Sequence, residues 1–325
     1  MKHLWPKDLL CSVLLPRFTG QVTIRHNATS LWLPGEADIT FDNGDQIQVV
    51  SDASGNWRVI DIQKNLAPAR GKLTANRTYY VRTDGSDSNN GLANTSGGAF
   101  LTIQKAIDVA LGTLDFGGFT VTIQLADGSY TVSSLAIGSG VGLLSPASLV
   151  IRGNNTTPGN VKVSGTGNAF AAESANAICT ILDMEVSSSG SGTSCFRSSA
   201  GGQIFFGNVR FAATGSGGHI TVTEGGAVQA VSNYEIVGGS TYHAQIAGGM
   251  FRATGRNITL TGTPAFSGAY IAATRCGSAI VFGCTYTGSA TGKSYDAQTN
   301  AVVSALGATL PGDVAGTTST GGQYA

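Results

Sequence analysis

Polar and apolar residues alternate in five four-residue segments between residues 183 and 286, and these segments recur at a nearly constant spacing. Their first residues, in chain order, are Asp183, Asn208, Asn233, Asn257 and Gly283, which lie 25, 25, 24 and 26 residues apart. Alternation is the period of a β-strand, and a fixed spacing of this length is typical of a stacked repeat. The pattern predicts a parallel β-helix with one repeat per turn, and a β-sandwich with evenly spaced strands is the alternative.

Stacked turns would bring equivalent residues of the repeats into columns. One inward column would contain Met184, Val209, Tyr234, Ile258 and Cys284. The other inward column would contain Val186, Phe211, Ile236, Leu260 and Tyr286. The residues between them would point outward and form the column Glu185, Arg210, Glu235, Thr259 and Thr285. The first three outward residues alternate in charge, so that neighbouring strands would avoid contacts between like charges.

Residues 1–66 have a different pattern, with short strand signals separated by turn residues such as Asp42-Asn43-Gly44. They predict a small antiparallel β module with strands near residues 21–25, 30–33, 46–51 and 57–63. We expect a linker over residues 67–77 and the β-helix over residues 78–295. Residues 296–325 lose the repeat and become rich in Gly and Thr, so we expect a tail that wraps on neighbouring subunits or stays mobile.

A helix is predicted near residues 102–111, ahead of the repeats. Ile103, Ala106, Ile107 and Ala110 share the i, i+3, i+4, i+7 spacing of one helical face, and Thr102 precedes them as an N-cap. The first turn of a solenoid needs a cover, because its apolar end would otherwise contact water. The sequence therefore predicts a capping helix, and the chain as a whole is predicted to be all-β apart from it.

Two parts of the chain resemble known families. Residues 78–91 (TYYVRTDGSDSNNG) and 100–108 (FLTIQKAID) resemble the entry segment of pectate-lyase-like right-handed parallel β-helices, a resemblance that extends over residues 78–135. Residues 31–39 (LWLPGEADI), Gly44-Asp45 and residues 55–59 (GNWRV) resemble a short β module of bacteriophage tail fibres and tail spikes. Together the two resemblances imply a right-handed β-helix in a virion protein that is assembled in the host cytoplasm.

The same resemblances imply a set of partners. They imply a homotrimer, attachment to other virion proteins through residues 1–66, and adsorption to polysaccharide on the host surface. A third hypothesis is an architectural connector that binds no glycan. Stacked loops of Gly, Ser and Thr do not separate this connector from an adsorbing fibre.

Composition and charge narrow the remaining classes. The formal net charge is zero and the isoelectric point is about 6.9, so neither nucleic acid nor an anionic membrane is an expected partner. No stretch approaches the ~20 apolar residues that a membrane helix needs. The five Cys residues form no CxxC pair and the four His residues have no metal-binding spacing. We expect free buried thiols, no metal and no cofactor.

Glu185 and Glu235 are the best candidates for catalytic residues. A glycoside hydrolase needs two carboxylates, roughly 6.5 to 9.5 Å apart if it inverts configuration. Two turns would separate these residues by about 9.6 Å, with Arg210 between them. That Arg would hold both groups as carboxylates, whereas one must act as a protonated acid. A depolymerase, hydrolase or lyase, that acts on capsule or lipopolysaccharide is therefore the alternative to a binding protein, and a lyase would need an acidic cluster that the repeats lack.

Aromatic and His residues recur in the segments between the predicted strands. The candidate glycan-binding residues are His219, Tyr242, His243, Phe266 and Tyr295. Small polar residues that alternate with rings suit a sugar, whose hydroxyl groups form hydrogen bonds and whose ring faces stack on aromatic side chains. Contact between the subunits of a trimer explains the same segments equally well.

Overall fold

A computed structural model describes residues 22–41, 45–51, 54–63 and 70–325. The chain divides into two compact units, Met1–Arg70 and Gly71–Ala325. Strands dominate both units, and the prediction of an all-β chain with an antiparallel N-terminal module and a parallel β-helix is confirmed.

The first unit is a small, mainly antiparallel β module. Val22–Ile24 pairs antiparallel with Ile39–Phe41, and Gln46–Ser51 pairs antiparallel with Trp57–Gln63, which Leu31–Trp32 joins in parallel. The strand Ile39–Phe41 was not predicted from the sequence, and a 3-10 turn at Pro34–Glu36 precedes it. The buried core consists of Leu33, Phe41, Ile47 and Val59. The predicted turn at residues 42–44 lies outside the described residues.

The second unit is a parallel β-solenoid of about 10 turns whose strands stack into three sheets. Sheet I contains Gly128–Val132, Val161–Gly165, Glu185–Ser188, Arg210–Thr214, Tyr234–Ile236, Asn257–Leu260 and Thr285–Thr287. Sheet II contains Leu135–Ile137, Phe170–Ala172, Phe196–Ser198, Gly218–Thr223, Ser240–Ala247, Ala265–Thr274, Tyr295–Ala297 and Thr317–Thr318, with Thr291–Gly292 beside Ala265–Thr274. Sheet III contains Arg77–Val81, Val121–Leu125, Leu149–Arg152, Ile178–Leu182, Gln203–Gly207, Ala227–Ala230, Met250–Arg252, Ser278–Ile280, Val302–Ser304 and Gln323–Tyr324.

The two predicted inward columns form the buried wall of sheet I. Val186 pairs with Phe211, and Phe211 pairs with Ile236. In the last turn the register differs from the prediction, because Tyr286 and not Cys284 lies opposite Ile258. The outward residue opposite Thr259 is therefore Thr287. A slip of two residues keeps the alternation of inward and outward side chains, so the sequence pattern could not reveal it.

A helix covers the first turns, as predicted. It spans Ile103–Thr113 and buries Ile103, Ala106, Ile107, Ala110 and Leu111. The Thr102 hydroxyl accepts a hydrogen bond from the Lys105 amide at 3.3 Å, as an N-cap does. The Asp87 carboxylate accepts bonds from the Leu101 and Thr102 amides at 3.0 and 2.9 Å, so the entry loop fixes the start of the helix.

Glycines form the corners between sheets II and III. Gly225 has a φ of 74°, a left-handed conformation that favours glycine, and Gly226 follows it. A Cβ atom on Gly226 would collide with the backbone of Ser198 in the preceding turn. Gly201 and Gly202 form the equivalent corner one turn earlier. The recurrent glycines in the sequence therefore mark places where consecutive turns approach too closely for a side chain.

Two predicted boundaries need correction. Gly71–Lys72, within the predicted linker, is a strand that pairs in parallel with Leu114–Asp115. The predicted tail continues the solenoid, since Val302–Ser304 pairs with Ser278–Ile280 and then with Gln323–Tyr324. Its inward residues are small, and Ala297, Ala301, Val303 and Ala305 are fully buried. A tail rich in Ala, Gly and Thr can therefore form turns when its neighbours supply the apolar surface.

Candidate functional site

Four charged residues form one outward column on sheet I. Lys162, Glu185, Arg210 and Glu235 lie directly opposite one another in consecutive strands, and we call them the charged column. Lys162 Nζ lies 3.4 Å from Glu185 Oε1. Arg210 Nε lies 3.3 Å from Glu185 Oε2, an ion-pair distance without the alignment of a hydrogen bond, and Arg210 Nη1 lies 3.3 Å from Glu235 Oε2. The predicted alternation of charge is present.

The charged column leaves the two candidate carboxylates without a free oxygen for acid catalysis. Both oxygens of Glu185 face cations, Lys162 on one side and Arg210 on the other. Glu235 faces Arg210 through one oxygen and accepts a 2.5 Å hydrogen bond from the Thr261 hydroxyl through the other. A general acid must carry a proton aimed at the leaving group. The geometry therefore matches a structural ladder of opposed charges.

A second outward column lies beside the first and consists of hydroxyl groups. Thr131, Ser164 and Ser187 are opposite one another in consecutive strands, two residues after the positions of the charged column. The Ser187 hydroxyl donates to the Ser164 hydroxyl at 3.0 Å. Each hydroxyl is both a donor and an acceptor, so this column offers hydrogen bonds of both kinds to a ligand.

The hydroxyl column lines a surface groove of about 360 Å³. We define the hydroxyl groove by its lining residues Thr131, Ser164, Gly165, Thr166, Ser187, Ser188, Ser189, Ala213, Thr214 and Gly215. At one end the register shifts, so that Ser188 lies opposite Thr214. Such a β-bulge bends the strand locally. The groove therefore follows the stacking direction over four turns and contains no ionisable side chain.

Three predicted glycan-binding residues lie inside the solenoid. His219 and His243 are 0% exposed and Phe266 is 2% exposed. The prediction that they face a ligand is wrong, because they belong to strands of sheet II and not to loops between strands. Their rings pack with Phe211 and Tyr270 in the core. The two His residues are 24 residues apart, which matches the repeat. This spacing could have predicted that they stack in a column of the core.

The two buried histidines form a hydrogen-bonded chain. His219 Nδ1 lies 3.2 Å from His243 Nδ1, and His243 Nε2 lies 3.0 Å from the Tyr234 hydroxyl. Only one proton fits between the two Nδ1 atoms, so at most one of the two rings can be a cation. Burial lowers the pKa of His219 to about 3, which the Ala212 and Gly238 carbonyls only partly offset, and burial also lowers the pKa of His243 well below 6.5. These residues support the core.

The other two predicted residues are partly exposed. Tyr295 stacks on Tyr324 with ring centroids 3.9 Å apart and planes 2° apart. A Cβ atom on Gly316 would collide with the Tyr295 ring, so this ring is already packed within the chain. Tyr242 lies close to Gly268 in the same way. A role of Tyr242 and Tyr295 in glycan binding stays a prediction.

The described residues contain no group of three His, Cys, Asp or Glu side chains that could hold a metal ion. Within the same residues, no helix has the length and apolar character to cross a bilayer. Cys179, Cys195 and Cys284 are buried, and burial raises the pKa of Cys179 to about 12. Cys276 is exposed, contrary to the expectation of buried thiols, and Cys11 lies outside the described residues.

Sequence reasoning missed the hydroxyl groove. Its signal was a Ser two residues after each of the first two positions of the charged column, in Lys162-Val163-Ser164 and Glu185-Val186-Ser187. The strand Val161–Gly165 had not been assigned from the sequence, so the column could not be aligned.

Comparisons of this chain with protein-family models, with curated proteins and with solved structures found no match.

Proposed function

We propose that this chain is a fibre or spike protein of a bacteriophage that adsorbs to polysaccharide on the host surface. The hydroxyl groove is the observation that carries this proposal. A neutral sugar offers hydroxyl groups as donors and acceptors, and Ser and Thr hydroxyl groups match both. The stacked strands repeat these groups along the solenoid, which suits a polymer whose units also repeat.

The charges beside the groove are consistent with such a ligand. Lys162 and Arg210 are balanced by Glu185 and Glu235 within the column, so the surface has no excess charge to select a highly charged polymer. Surface ion pairs of this kind contribute little to stability but restrict the positions of long side chains. The charged column would form a rigid border along one side of the bound polysaccharide.

The other parts of the proposal follow from the sequence motifs. The module motif at residues 31–39 resembles a short β module of tail fibres and tail spikes, and the entry segment at residues 78–91 resembles that of pectate-lyase-like β-helices. On this basis residues 1–66 would attach the protein to other virion proteins, and the assembled particle would carry it as a homotrimer. The solenoid would then be the part that meets the host.

The test uses the full chain and purified surface polysaccharides from a panel of bacteria. Each polymer is incubated with the protein and separated on a sizing column with mass detection. We expect at least one intact polymer to elute together with the protein. Replacing Ser164 and Ser187 by Tyr fills the groove and should weaken this binding at least tenfold, whereas Gln245→Tyr on the outer side of sheet II should not.

Three outcomes would contradict the proposal. If no polymer elutes with the protein, adsorption to these glycans is wrong and the connector hypothesis gains support. If binding persists unchanged after the groove is filled, the site lies elsewhere. If the polymer shortens with time, the protein is a depolymerase, and Glu185→Gln and Glu235→Gln would then show whether the charged column is responsible.

A further inference from the structure

The outer surface of sheet III carries large apolar side chains among polar ones, whereas that of sheet I carries charged and hydroxyl groups. Phe205, Met250, Ile280 and Val302 point outward from four strands of this sheet and remain partly exposed. Their inward neighbours, such as Ile204 and Phe251, are fully buried, so the alternation of the strands fixes the outward direction. A sheet face that contacts water alone would normally carry polar residues at these positions.

The apolar surface continues past the ends of these strands. Val231, Phe282 and Leu306 follow the strands Ala227–Ala230, Ser278–Ile280 and Val302–Ser304 and are 38%, 39% and 65% exposed. We call these three residues, together with Phe205, Met250, Ile280 and Val302, the apolar face. Several large apolar side chains exposed on one face are a feature of contact sites on protein surfaces.

Charge identifies the kind of partner that fits. Sheet III has two outward columns here. The first contains Val150, Thr180, Phe205, Gln229, Arg252, Ile280 and Ser304. The second contains Ile178, Gln203, Ala227, Met250, Ser278 and Val302. Arg252 is the one charged residue among them. A highly charged partner would lose hydration here without gaining ion pairs, whereas a surface of the same composition would lose little.

This chain itself offers such a surface, and we propose that the apolar faces of neighbouring copies of the chain meet in the homotrimer, an inference that rests on the proposed function. The columns run over eight strands from Leu149–Arg152 to Gln323–Tyr324. At ~4.8 Å per strand they extend for about 34 Å, and with a width of about 17 Å they cover on the order of 600 Å². A standard interface buries roughly 800 Å² per partner, so the face and its margins are of the right size.

The interface is separate from the proposed glycan site. The hydroxyl groove lies on the outer side of sheet I and the apolar face on that of sheet III, so association leaves the groove open to a ligand. Self-association and glycan adsorption can therefore fail independently. A monomer that still elutes with polysaccharide would refute the interface alone, and an oligomer that binds no polymer would refute the adsorption alone.

The first test is the mass of the full chain in solution. Wild-type protein should elute at three times 33.1 kDa, the mass of the homotrimer. Phe205→Glu combined with Val302→Glu places two charges beside uncharged neighbours in the interface and should weaken association at least tenfold, giving a monomer. Gln245→Glu and Thr287→Glu, exposed on sheets II and I, add the same charge and should leave the mass unchanged.

Circular dichroism should show unchanged strand content in all of these variants. A monomeric wild type at ~100 µM, or a Phe205→Glu/Val302→Glu variant that keeps the full mass, would overturn the proposal. The second of these results would place the contact on another part of the chain.

The second test locates the contact directly. Ser278→Cys is introduced on the apolar face of a protein whose Cys11 and Cys276 are changed to Ser. A short bismaleimide should then link two copies, because equivalent faces meet in the interface. Thr287→Cys on sheet I, in the same background, should give no linked product. Equal linkage of both variants, or no linkage of the Ser278→Cys variant, would contradict the proposed face.

Discussion

The outer surfaces of sheets I and III are made by the same turns of one solenoid but differ in character. Sheet I presents alternating charges from Lys162 to Glu235 and a row of hydroxyl groups beside them. Sheet III presents Phe205, Met250 and Ile280 among polar residues, of which Arg252 alone is charged in these two columns. The inward positions of both sheets are uniformly apolar. In a solenoid the fold restricts the inward residue of each pair, and the outward residue is free to specify what the surface contacts.

The largest expected effect comes from disturbing the core that both surfaces share. His219 and His243 have folded-state pKa values below the ordinary 6.5, so the unfolded chain binds more protons at acidic pH. Their stabilising contribution is complete above pH 6.5 and decreases as the pH falls from 6.5 towards about 3, where folded His219 takes up a proton. At pH 5 we expect a loss of about 2 kcal/mol from His219 and a further loss in the same direction from His243.

Chemical denaturation between pH 7.5 and 4.5 measures this loss. Replacing both histidines by Phe should flatten the dependence of the unfolding free energy on pH, even if removing the partner of Tyr234 lowers stability at pH 7. If the surfaces share one scaffold, acid should abolish polysaccharide binding and self-association of the wild type over the same pH range. A double variant with the wild-type pH dependence would contradict the role given to these residues.

A moderate effect is expected from reversing the central charge of sheet I. Arg210→Glu would place three carboxylates opposite one another in consecutive strands and should destabilise the protein by about 1–2 kcal/mol at low salt. Gln229→Glu makes a matched change on sheet III, where Phe205 and Arg252 are its neighbours, and should cost less than about 0.5 kcal/mol.

Urea denaturation at 20 mM and 500 mM salt compares these two variants. The difference between them should shrink at the higher salt concentration, because screening weakens interactions between exposed charges. Equal destabilisation of both variants would mean that the charged column does not differ from the outer columns of sheet III in its electrostatics.

The smallest effect is expected at the corner that leads into sheet III. Cys276 has a φ of 59° in the corner before the strand Ser278–Ile280. In the corner before the preceding strand of sheet III, Met250–Arg252, the equivalent residue is Gly248. Cys276→Gly should therefore raise the unfolding free energy by about 0.5–1 kcal/mol, since glycine adopts this conformation without strain. Gly225→Ala, whose Cβ atom would meet no neighbour within 4 Å, should lower it by about 1 kcal/mol through backbone strain alone. Thermal unfolding of both variants measures these two changes in stability. A Cys276→Gly variant less stable than the wild type would refute the strain assigned to Cys276.

The sequence pattern predicted the parts of the fold in which large residues alternate with polar ones. Val186, Phe211 and Ile236 are large and regularly spaced, so their column was visible, and so was the helical stripe from Ile103 to Ala110. The column of Glu185, Arg210 and Glu235 was also aligned correctly. In each case the contrast between apolar and polar residues at neighbouring positions was enough to define the register.

The rest was hidden for physical reasons. Ala301 and Val303 fill the core of the last turns with side chains too small to stand out in a segment rich in Gly and Thr. Sheet II contains a register shift between Ser240 and Tyr242, which breaks the simple alternation that would have placed His243 inside. The apolar face was missed because the register of the sheet III strands, which shows which side chains point outward, could not be read from the sequence.

The helix at Ile103–Thr113 has a consequence for the order in which the chain can acquire structure. Its N-cap is held by Asp87, only 15 residues earlier, and it packs on strands that end at Leu125 and Ile137. A closed end can therefore form while later residues are still being added by the ribosome. Each new stretch of roughly 25 residues then meets a finished edge with unpaired amide and carbonyl groups. Growth by templating from one end would keep long apolar stretches from waiting unpaired during synthesis.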